Sequence, residues 1–300
     1  MQFNFIKYSI VYYIIFGVLI IASIAALLAF GLKFGIEFAG GSNMQVEFKS
    51  QRPSNEAIQD ALKSFNLGEI TIQPTGNNGA ILQFKGVDEA THQQILTGIN
   101  KLSETSEKSF QYIGPSVGQE LRNKTELAIV LALLAITIYI AFAFRKVSRP
   151  VSSWKYGVTS LIALFHDILV PLGIFAVLGH FYNVEITIPI VAALLTILGF
   201  SVHDTIVIFD RIRENILRMG MGQFEETVNW SLNQTLGRSI STVLTVEFVM
   251  VALFFFGGET LKYFALTLII GITSGAYSSI FIASPLLVSW YKWSAKKPTG

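Results

Sequence analysis

The sequence is short of two kinds of residue on which soluble proteins rely. It contains no cysteine, which excludes a disulfide scaffold and a zinc or iron–sulfur site held by thiolates. Charged residues make up only 14% of the 300 residues, whereas an ordinary soluble domain has about 25%. Hydrophobic residues make up 52%, and the mean hydropathy is +0.54. A single globule of this size cannot bury so much apolar surface, so lipid must surround much of the chain.

Six apolar stretches reach the roughly 20 residues that a helix needs to cross a bilayer. They are Val11–Gly31, Leu127–Phe144, Tyr156–Tyr182, Ile186–Phe209, Ser239–Gly257 and Tyr263–Tyr291. The first is longer than the core of a signal peptide, so we expect it to remain as an anchor. The fold class that follows is a polytopic α-helical membrane protein with six transmembrane helices.

Residues 32–125, between the first two spans, are the one segment large enough to fold in water. Nine of the 22 lysines and arginines lie in it, and long translocated segments do not obey the positive-inside rule. Of the other thirteen, only Lys262 lies on one side of the predicted spans, and twelve lie on the other. The twelve are Lys7, Arg145, Lys146, Arg149, Lys155, Arg211, Arg213, Arg218, Arg238, Lys292, Lys296 and Lys297. We therefore expect a cytoplasmic N-terminus and first span in residues 1–31, an outer domain in 32–125, and a five-helix membrane domain with a cytoplasmic C-terminus in 126–300.

Short helical and alternating patterns follow one another within the outer segment. Met44–Lys49 alternates as a strand does, and Pro53–Glu56 opens a helix. Gly76–Gly79 predicts a hairpin turn between two further strands, and Asp88 can cap a second helix that precedes a last strand. The order β-α-β-β-α-β is that of an α+β ferredoxin-like fold. We interpret the domain as a binding module, although a spacer with no ligand fits the same pattern, and we expect His92 on its surface.

Three spans carry one carboxylate each: Asp167 in the third, Asp204 in the fourth and Glu247 in the fifth. A charged side chain at the centre of a span costs about 2.5–3.5 kcal/mol on insertion scales, so each acid is a candidate functional group. The protonated acid is much cheaper there than the carboxylate, which makes such a group a natural proton carrier. Two of the acids directly follow a histidine, in the pairs His166-Asp167 and His203-Asp204.

Asp204 and Arg238 are expected at similar depths in the membrane. Asp204 lies about one and a half helical turns from the cytoplasmic end of the fourth span, and Arg238 precedes the fifth span at that end. An arginine side chain is long enough to reach the depth of Asp204, so the pair has the charges that a proton relay needs. A satisfied buried acid beside an ordinary cytoplasmic anchor explains the same spacing equally well.

The other two acids also leave alternatives open. His166 and Asp167 lie in mid-span ahead of Pro171, and they suit either a relay or hydrogen bonding between helices. Glu247 lies on the helix face opposite Arg238, so we expect it outside the Arg238 site, where a partner subunit can cover it.

The sixth span and the cytoplasmic stretch before the fifth carry weaker signals. Gly271, Gly275 and Ser279 allow close approach of another helix, and Tyr277, Ser278 and Ser279 also suit a polar path. Pro285 is expected to kink the inner end of the sixth span. We expect residues 210–237 to form one or two short helices on the cytoplasmic membrane surface, because scattered apolar residues alternate there with mixed charges.

Four motifs together resemble the SecF family of protein-export membrane proteins. They are GIEFAGG at Gly35–Gly41, the His166-Asp167 pair, SVHDTIVIFDRIREN at Ser201–Asn215 and GAYSSIFIASP at Gly275–Pro285. The resemblance covers essentially the whole chain, and the motif in the fourth span is long and specific. The motif positions it includes are Gly35, Gly40, Gly41, Asp210, Arg211, Gly271, Gly275 and Ser279. The family usually has Asp where this chain has Glu37, and Asn where it has His203.

The resemblance implies a subunit that pairs with SecD in the bacterial cytoplasmic membrane and uses the proton motive force to drive late preprotein translocation and release. Asp204 matches the family's intramembrane aspartate, and Arg238 matches its basic residue at the start of the fifth span. Together with His203, Asp167 and His166 they form the expected proton relay, and Glu247 is an extra acid outside the family pattern. The implied partners are SecD, the SecYEG channel, YajC, the translocating preprotein, protons and the lipid bilayer, without nucleic acid.

Two other functions fit parts of the pattern. Half of a proton-driven exporter of small molecules or lipids, of the resistance-nodulation-division type, would favour a large apolar cavity in the outer domain, for which residues 32–125 leave little room. An assembly scaffold without proton movement would make Asp204 dispensable. The sequence carries no nucleophile–base or metal-ligand pattern, so we expect neither enzymatic activity nor a cofactor.

Overall fold

The computed structural model describes residues 3–145, 151–219 and 223–295. Four of the basic residues that were used to predict the topology, Lys146, Arg149, Lys296 and Lys297, lie outside these ranges. The chain divides into two compact units. The membrane unit comprises Met1–Lys33, Leu127–Val184 and Pro189–Gly300, and the sheet unit comprises Phe34–Glu126 with Glu185–Ile188.

The sheet unit contains the four strands and two helices expected from its sequence. After the short helix α2 (Ile36–Ala39) come β1 (Gly41–Phe48), α3 (Asn55–Leu62), β2 (Thr71–Thr75), β3 (Gly79–Phe84), α4 (Glu89–Asn100) and β4 (Thr105–Ile113). The strands pair in the order β2-β3-β1-β4, and every pairing is antiparallel. The predicted β-α-β-β-α-β order is confirmed.

Side-chain caps fix where α3 and α4 begin. The Ser54 hydroxyl accepts a hydrogen bond from the Ala57 amide at 3.2 Å, and the Asp88 carboxylate accepts one from the Thr91 amide at 2.9 Å. The hydrogen bonds from Thr91 hold the pKa of the Asp88 carboxyl below its ordinary value. The apolar sides of both helices pack on the inward face of β1 and β3. This core contains Met44, Val46, Phe48, Ile58, Leu62, Leu67, Ala80, Leu82, Phe84, Ile95 and Ile99.

His92 is buried in this unit, so the prediction of a surface position is wrong. It is only 5% exposed, and its ring stacks on Phe110 with the centroids 3.8 Å apart. Its Nδ1 lies 3.2 Å from Glu89 Oε1, and its Nε2 lies 3.1 Å from Glu107 Oε1. His92 lies three residues before Ile95 on the buried face of α4. Phe110 covers the face of its ring, and a glutamate carboxylate lies at each of its two nitrogens.

The paired glycines at the start of β1 occupy backbone positions that exclude a side chain. Gly40 has φ of +75°, and a Cβ there would lie 2.8 Å from Pro115 Cα. Gly41 has φ of +143°, and a Cβ there would lie 2.9 Å from the Phe84 carbonyl oxygen. Glycine alone adopts such conformations without strain. The Gly35 amide donates to the Ile186 carbonyl at 2.9 Å, which ties Glu185–Ile188 to the sheet unit.

The membrane unit supplies six helices that are long and apolar enough to span a bilayer, as predicted. Their bounds are α1 (Ser9–Phe30, preceded by a 3₁₀ turn at Ile6–Tyr8), α5 (Pro115–Ala143, which begins in the sheet unit), α6 (Ser153–Tyr182), α7 (Ile188–Met219), α8 (Phe224–Phe256), and α9 (Gly258–Ser278) continued by α10 (Ser284–Ala295). In the most apolar windows of α6, α7 and α9–α10, 50–56% of the residues are buried, against 6% in α1, α5 and α8. Helices α6, α7 and α9–α10 therefore form the core of the membrane unit, and α1, α5 and α8 lie on its outside.

The described parts of residues 210–237 do not form separate surface helices, so that prediction is wrong. Helix α7 continues without a break through Asp210 to Met219, and α8 begins at Phe224. The scattered apolar residues of this stretch pack into the core of the membrane unit. Those that are fully buried are Ile212, Ile216, Phe224, Val228 and Leu232.

The kink expected at Pro285 takes the form of a π-helical turn. Residues Ser279–Ala283 separate α9 from α10, and the Ser284 hydroxyl donates to the Ser279 carbonyl at 3.1 Å. Proline has no amide hydrogen for the helical ladder, which accounts for an irregular turn just before it. The irregular turn directly follows Ser278, at the most polar part of the bundle.

Candidate functional site

Asp167 lies at the centre of a cage of hydroxyl groups. Its carboxylate is fully buried, and its Oδ2 accepts hydrogen bonds from Ser201 at 2.6 Å and Ser278 at 2.7 Å. Its Oδ1 accepts one from Ser274 at 3.2 Å and lies 3.1 Å from His166 Nδ1. These donors come from α7 and α9, so the acid of α6 holds three helices together.

The His166 ring completes this cage on its apolar side. It stacks on Phe16 of α1 with the centroids 4.9 Å apart, and its Nδ1 lies 3.3 Å from the Ser274 hydroxyl. Its other nitrogen, Nε2, is buried and has no hydrogen-bond partner among the described residues. One ring nitrogen is therefore held by the cage, and the other makes no hydrogen bond in the described part of the chain.

Asp204 is buried as well, but it is held much less tightly. It is 8% exposed, and its Oδ1 accepts a hydrogen bond from Ser239 of α8 at 2.6 Å. Its Oδ2 is buried without a hydrogen-bond partner in the described part of the chain. The Ser279 hydroxyl also interacts with this carboxyl group, so Asp204 has two hydroxyl groups near it.

A pair of buried hydroxyl groups lies next to the surroundings of both acids. The Thr205 hydroxyl lies 2.9 Å from the Ser279 hydroxyl, and both groups are buried. The Ser279 hydroxyl also interacts with the Asp204 carboxyl group. Ser278, which precedes Ser279 in the chain, donates to Asp167. Successive serines at the end of α9 therefore contact the two acids.

Helices α7 and α9 approach closely at the glycines predicted to form a packing face. A Cβ on Gly271 would collide with Ile197 of α7, and a Cβ on Gly275 would lie 3.0 Å from Ser201 Cβ. Ser201, which lies against Gly275, is also the residue of α7 that donates to Asp167.

Arg238 and His203 lie at the edge of this region. Arg238 is exposed and lines a pocket together with Asp210 and Arg211. Among the salt bridges of the described residues, none joins Arg238 to Asp204. Ser239, the next residue, is the one that binds Asp204. His203 is also exposed, so it points away from the side of α7 that buries Asp204.

Glu247 belongs to a separate place. It is half-buried on α8, and its Oε1 accepts a hydrogen bond from Thr273 of α9 at 2.9 Å. Thr273 contacts neither Asp167 nor Asp204 in the hydrogen bonds of the described residues, so Glu247 shares no partner with them.

Most hydroxyl partners of the two acids were not predicted from the sequence. They are Ser201, Ser239 and Ser274. Serine and threonine are common in membrane helices, so their presence alone carries no signal. Within the described ranges, no group of three His, Asp or Glu side chains is arranged to hold a metal ion.

Comparison with protein-family models places the chain in a known group. Residues 92–293 match the model described as protein export membrane protein SecD/SecF, C-terminal, which covers more than half of the chain. The chain belongs to the SecD/SecF family. Residues 25–51 match the SecD/SecF GG motif, and they include Gly40 and Gly41 with their constrained backbone.

Relatives and solved structures of the SecD/SecF family agree with this assignment. The chain is 48% identical to the protein translocase subunit SecF of Thermobaculum terrenum, with 85% of this chain and 83% of that protein covered. It is 37% identical to the SecF of Synechocystis sp., with 87% and 84% covered. A crystal structure of SecDF from Thermus thermophilus, described as a translocon-associated membrane protein, matches with a TM-score of 0.86 at 30% identity. That match covers 97% of this chain but 39% of the SecDF chain.

Proposed function

We propose that this chain is the SecF-like subunit of the accessory complex of the bacterial Sec translocase, and that it pairs with SecD to use the proton motive force in late preprotein translocation. It is a multi-pass membrane protein, which we place in the cytoplasmic membrane with both chain ends inside. The relatives named as SecF translocase subunits support the export role. The chain spans 39% of the matched SecDF chain, and in this proposal SecD supplies the remainder of the machine.

The observation that carries the proton-coupled part is the state of Asp204. A carboxyl group in the core of a membrane bundle, with one oxygen bound by Ser239 and the other without a hydrogen bond in the described residues, can gain or lose a proton with little rearrangement. Asp167 and His166 form the second stage of the relay, since the successive residues Ser278 and Ser279 contact Asp167 and Asp204.

Arg238 and His203 act on this relay from outside the buried region. Arg238, one residue from the serine that binds Asp204, places a positive charge at the pocket next to the relay. His203 is an additional titratable group on the exposed side of α7. The channel SecYEG, YajC and the translocating preprotein are the further partners of this proposal.

Preprotein release from energised cells that lack their own copy tests the proposal. The cells are complemented with the wild-type chain, with Asp204→Asn or with Glu247→Gln. Asn keeps the shape and hydrogen bonding of Asp204 but cannot carry a proton, so release should fall to the level of uncomplemented cells. Glu247→Gln removes another intramembrane acid, bound by a single hydroxyl from Thr273, and should release preprotein as the wild type does.

Membrane levels of all three proteins serve as the control for insertion. If Asp204→Asn releases preprotein as well as wild type, the relay proposal is wrong and the chain acts as a scaffold. If both variants fail alike, loss of any intramembrane acid impairs the protein, and the specific role of Asp204 is wrong.

A further inference from the structure

A polar pocket lies between α7 and α8 at the end of the bundle that carries Arg211, Arg213, Arg218 and Arg238, here termed the arginine-rich end. Its volume is about 140 Å³, enough for several water molecules. Polar residues that line it are Asp210, Arg211, Glu214, Gln234, Thr235 and Arg238. Two acids and two arginines leave its walls without net charge.

The inner end of this pocket comes within one helical turn of Asp204 on both helices. On α7 the pocket-lining residue nearest in sequence is Val207, three positions after Asp204. On α8 two lining residues lie near Ser239, which donates to Asp204: Arg238 directly precedes it, and Thr235 lies four positions before it on the same face of the helix. One turn of helix is about 5.4 Å, a gap that one or two water molecules can bridge.

The face of α8 that leads from the pocket to the acid carries a ladder of buried hydroxyls. Ser231, Thr235 and Ser239 lie at intervals of four residues and are 0%, 5% and 2% exposed. The Thr235 hydroxyl donates to the Ser231 carbonyl at 3.0 Å, which leaves its oxygen free to accept from water. Burying apolar side chains at this helix interface would cost less free energy than burying hydroxyl groups. Packing alone therefore does not explain why hydroxyl groups lie there.

The walls of the pocket are held in place by their own contacts. Asn215 of α7 donates to Ser231 at 2.8 Å and to Gln234 at 3.0 Å across the helix interface. Glu214 is bound by Arg211 at 2.8 Å and by Arg218 at 2.7 Å. Fixed walls keep the two helices from collapsing onto the space between them.

We propose that water in this pocket, together with the hydroxyls of Thr235 and Ser239, forms the route by which protons pass between Asp204 and the arginine-rich end of the protein. This inference rests on the proposed function, which supplies the direction in which the protons move and the work that they drive. The existence of a water route at this place can be tested independently of export.

Single-cysteine variants test the water route directly, because the natural sequence contains no cysteine. Thr235→Cys and Ser160→Cys are treated with a water-soluble, membrane-impermeant thiol reagent in inside-out vesicles. Ser160 is 1% exposed on α6, so it is a hydroxyl position as buried as Thr235 but away from the pocket lining. We expect modification of Thr235→Cys at several times the rate of Ser160→Cys. Equal rates, or an unreactive Thr235→Cys, would overturn the proposal.

Thr235→Val tests whether the hydroxyl itself is used. Valine keeps the shape of threonine, and Thr242→Val is the matched control. Thr242 is exposed on the same helix, and its hydroxyl makes the same bond to the carbonyl four residues back, at 2.9 Å to Arg238. We expect preprotein release to slow several-fold in Thr235→Val and to stay unchanged in Thr242→Val.

The two tests separate failure of the route from failure of the proposed function. Normal release by Thr235→Val, in cells where Asp204→Asn blocks release, overturns the route and leaves the function standing. Normal release by Asp204→Asn overturns the function, whereas modification of Thr235→Cys would still establish that water reaches the pocket.

Discussion

The two acids buried in the bundle have opposite surroundings. Asp167 has contacts to His166 and to three serine hydroxyls, which occupy both of its oxygens. Asp204 accepts one hydrogen bond, from Ser239, and the Ser279 hydroxyl lies near its carboxyl group, whose Oδ2 makes no hydrogen bond of good geometry in the described ranges. Both side chains are almost fully buried, at 0% and 8% exposure, so burial does not distinguish them.

The difference indicates a division of labour between the acids. A proton that binds Asp167 must displace a hydroxyl donor, and this displacement would loosen the contact of α6 with α7 or α9. A proton that binds Asp204 has fewer hydrogen bonds to displace. In the proposed function, Asp204 exchanges the proton, and Asp167 converts a change of protonation into a change of helix packing.

The largest expected stability effect is that of Asp167→Asn. The amide of Asn places a donor where Ser201 and Ser278 already donate, so we expect a loss of about 1–3 kcal/mol in the free energy of unfolding. Asp204→Asn has room for that amide at the unpartnered oxygen and should change stability by less than about 0.5 kcal/mol. Thermal unfolding of the purified proteins in detergent measures both, and equal losses would contradict the comparison.

A smaller effect is expected from Gly275→Ala. The added methyl group would lie 3.0 Å from Ser201 Cβ and must push α7 away from Asp167. The cost should be about 1 kcal/mol, at the low end for overpacking of a well-packed core. Combined with Asp167→Asn it should cost less than the sum of the two, because both disturb the same hydrogen bond. Strict additivity in the same unfolding assay would show that Gly275 does not support the cage.

Thr205→Val removes one of the paired hydroxyls beside the two acids. Its bond to Ser279 would be lost, while the shape of the side chain is kept. We expect slower preprotein release with nearly unchanged stability. Thr196→Val is the control, since Thr196 is exposed on the same helix and donates only to the Ala192 carbonyl. Similar release by both variants would argue against a role for the Thr205 hydroxyl.

The smallest effect should come from Asp88, in the sheet unit. Hydrogen bonds from Thr91 lower the pKa of the Asp88 carboxyl in the folded protein. The cap therefore stabilises the fold fully at pH values above the ordinary pKa of a carboxyl group. This stabilisation is lost as the pH falls through the lower pKa that Asp88 has in the folded protein. Asp88→Asn should therefore narrow the difference in stability between neutral and acidic pH. Unfolding measured across that pH range tests this, and release should be unaffected.

The sequence was sufficient to predict the six spans and the order of strands and helices in the sheet unit. Length and hydropathy located the six spans, and alternation with turn signals gave the order of the sheet unit. It also singled out the three intramembrane acids, since charge within an apolar run is conspicuous at any position. These features depend on residues close together in the chain.

What the sequence did not predict depends on residues far apart. Spacing along α7 and α8 suggested Arg238 as the partner of Asp204, but the rotation of the helices places Ser239 there instead. The burial of His92 follows from stacking on Phe110, which only the pairing of α4 with β4 brings near. The continuity of α7 past Asp210 reflects packing of its apolar residues against other helices, which the local mixture of charges concealed.

The most direct test of the account is to observe the protonated side chain of Asp204 itself. Infrared difference spectra between acidic and neutral pH record the carbonyl stretch of a protonated carboxylic acid in the purified protein. The account predicts a band from a buried acid that disappears in Asp204→Asn and persists in Asp167→Asn. A band that persists in Asp204→Asn and disappears in Asp167→Asn would contradict it, because the caged acid would then be the one that exchanges the proton.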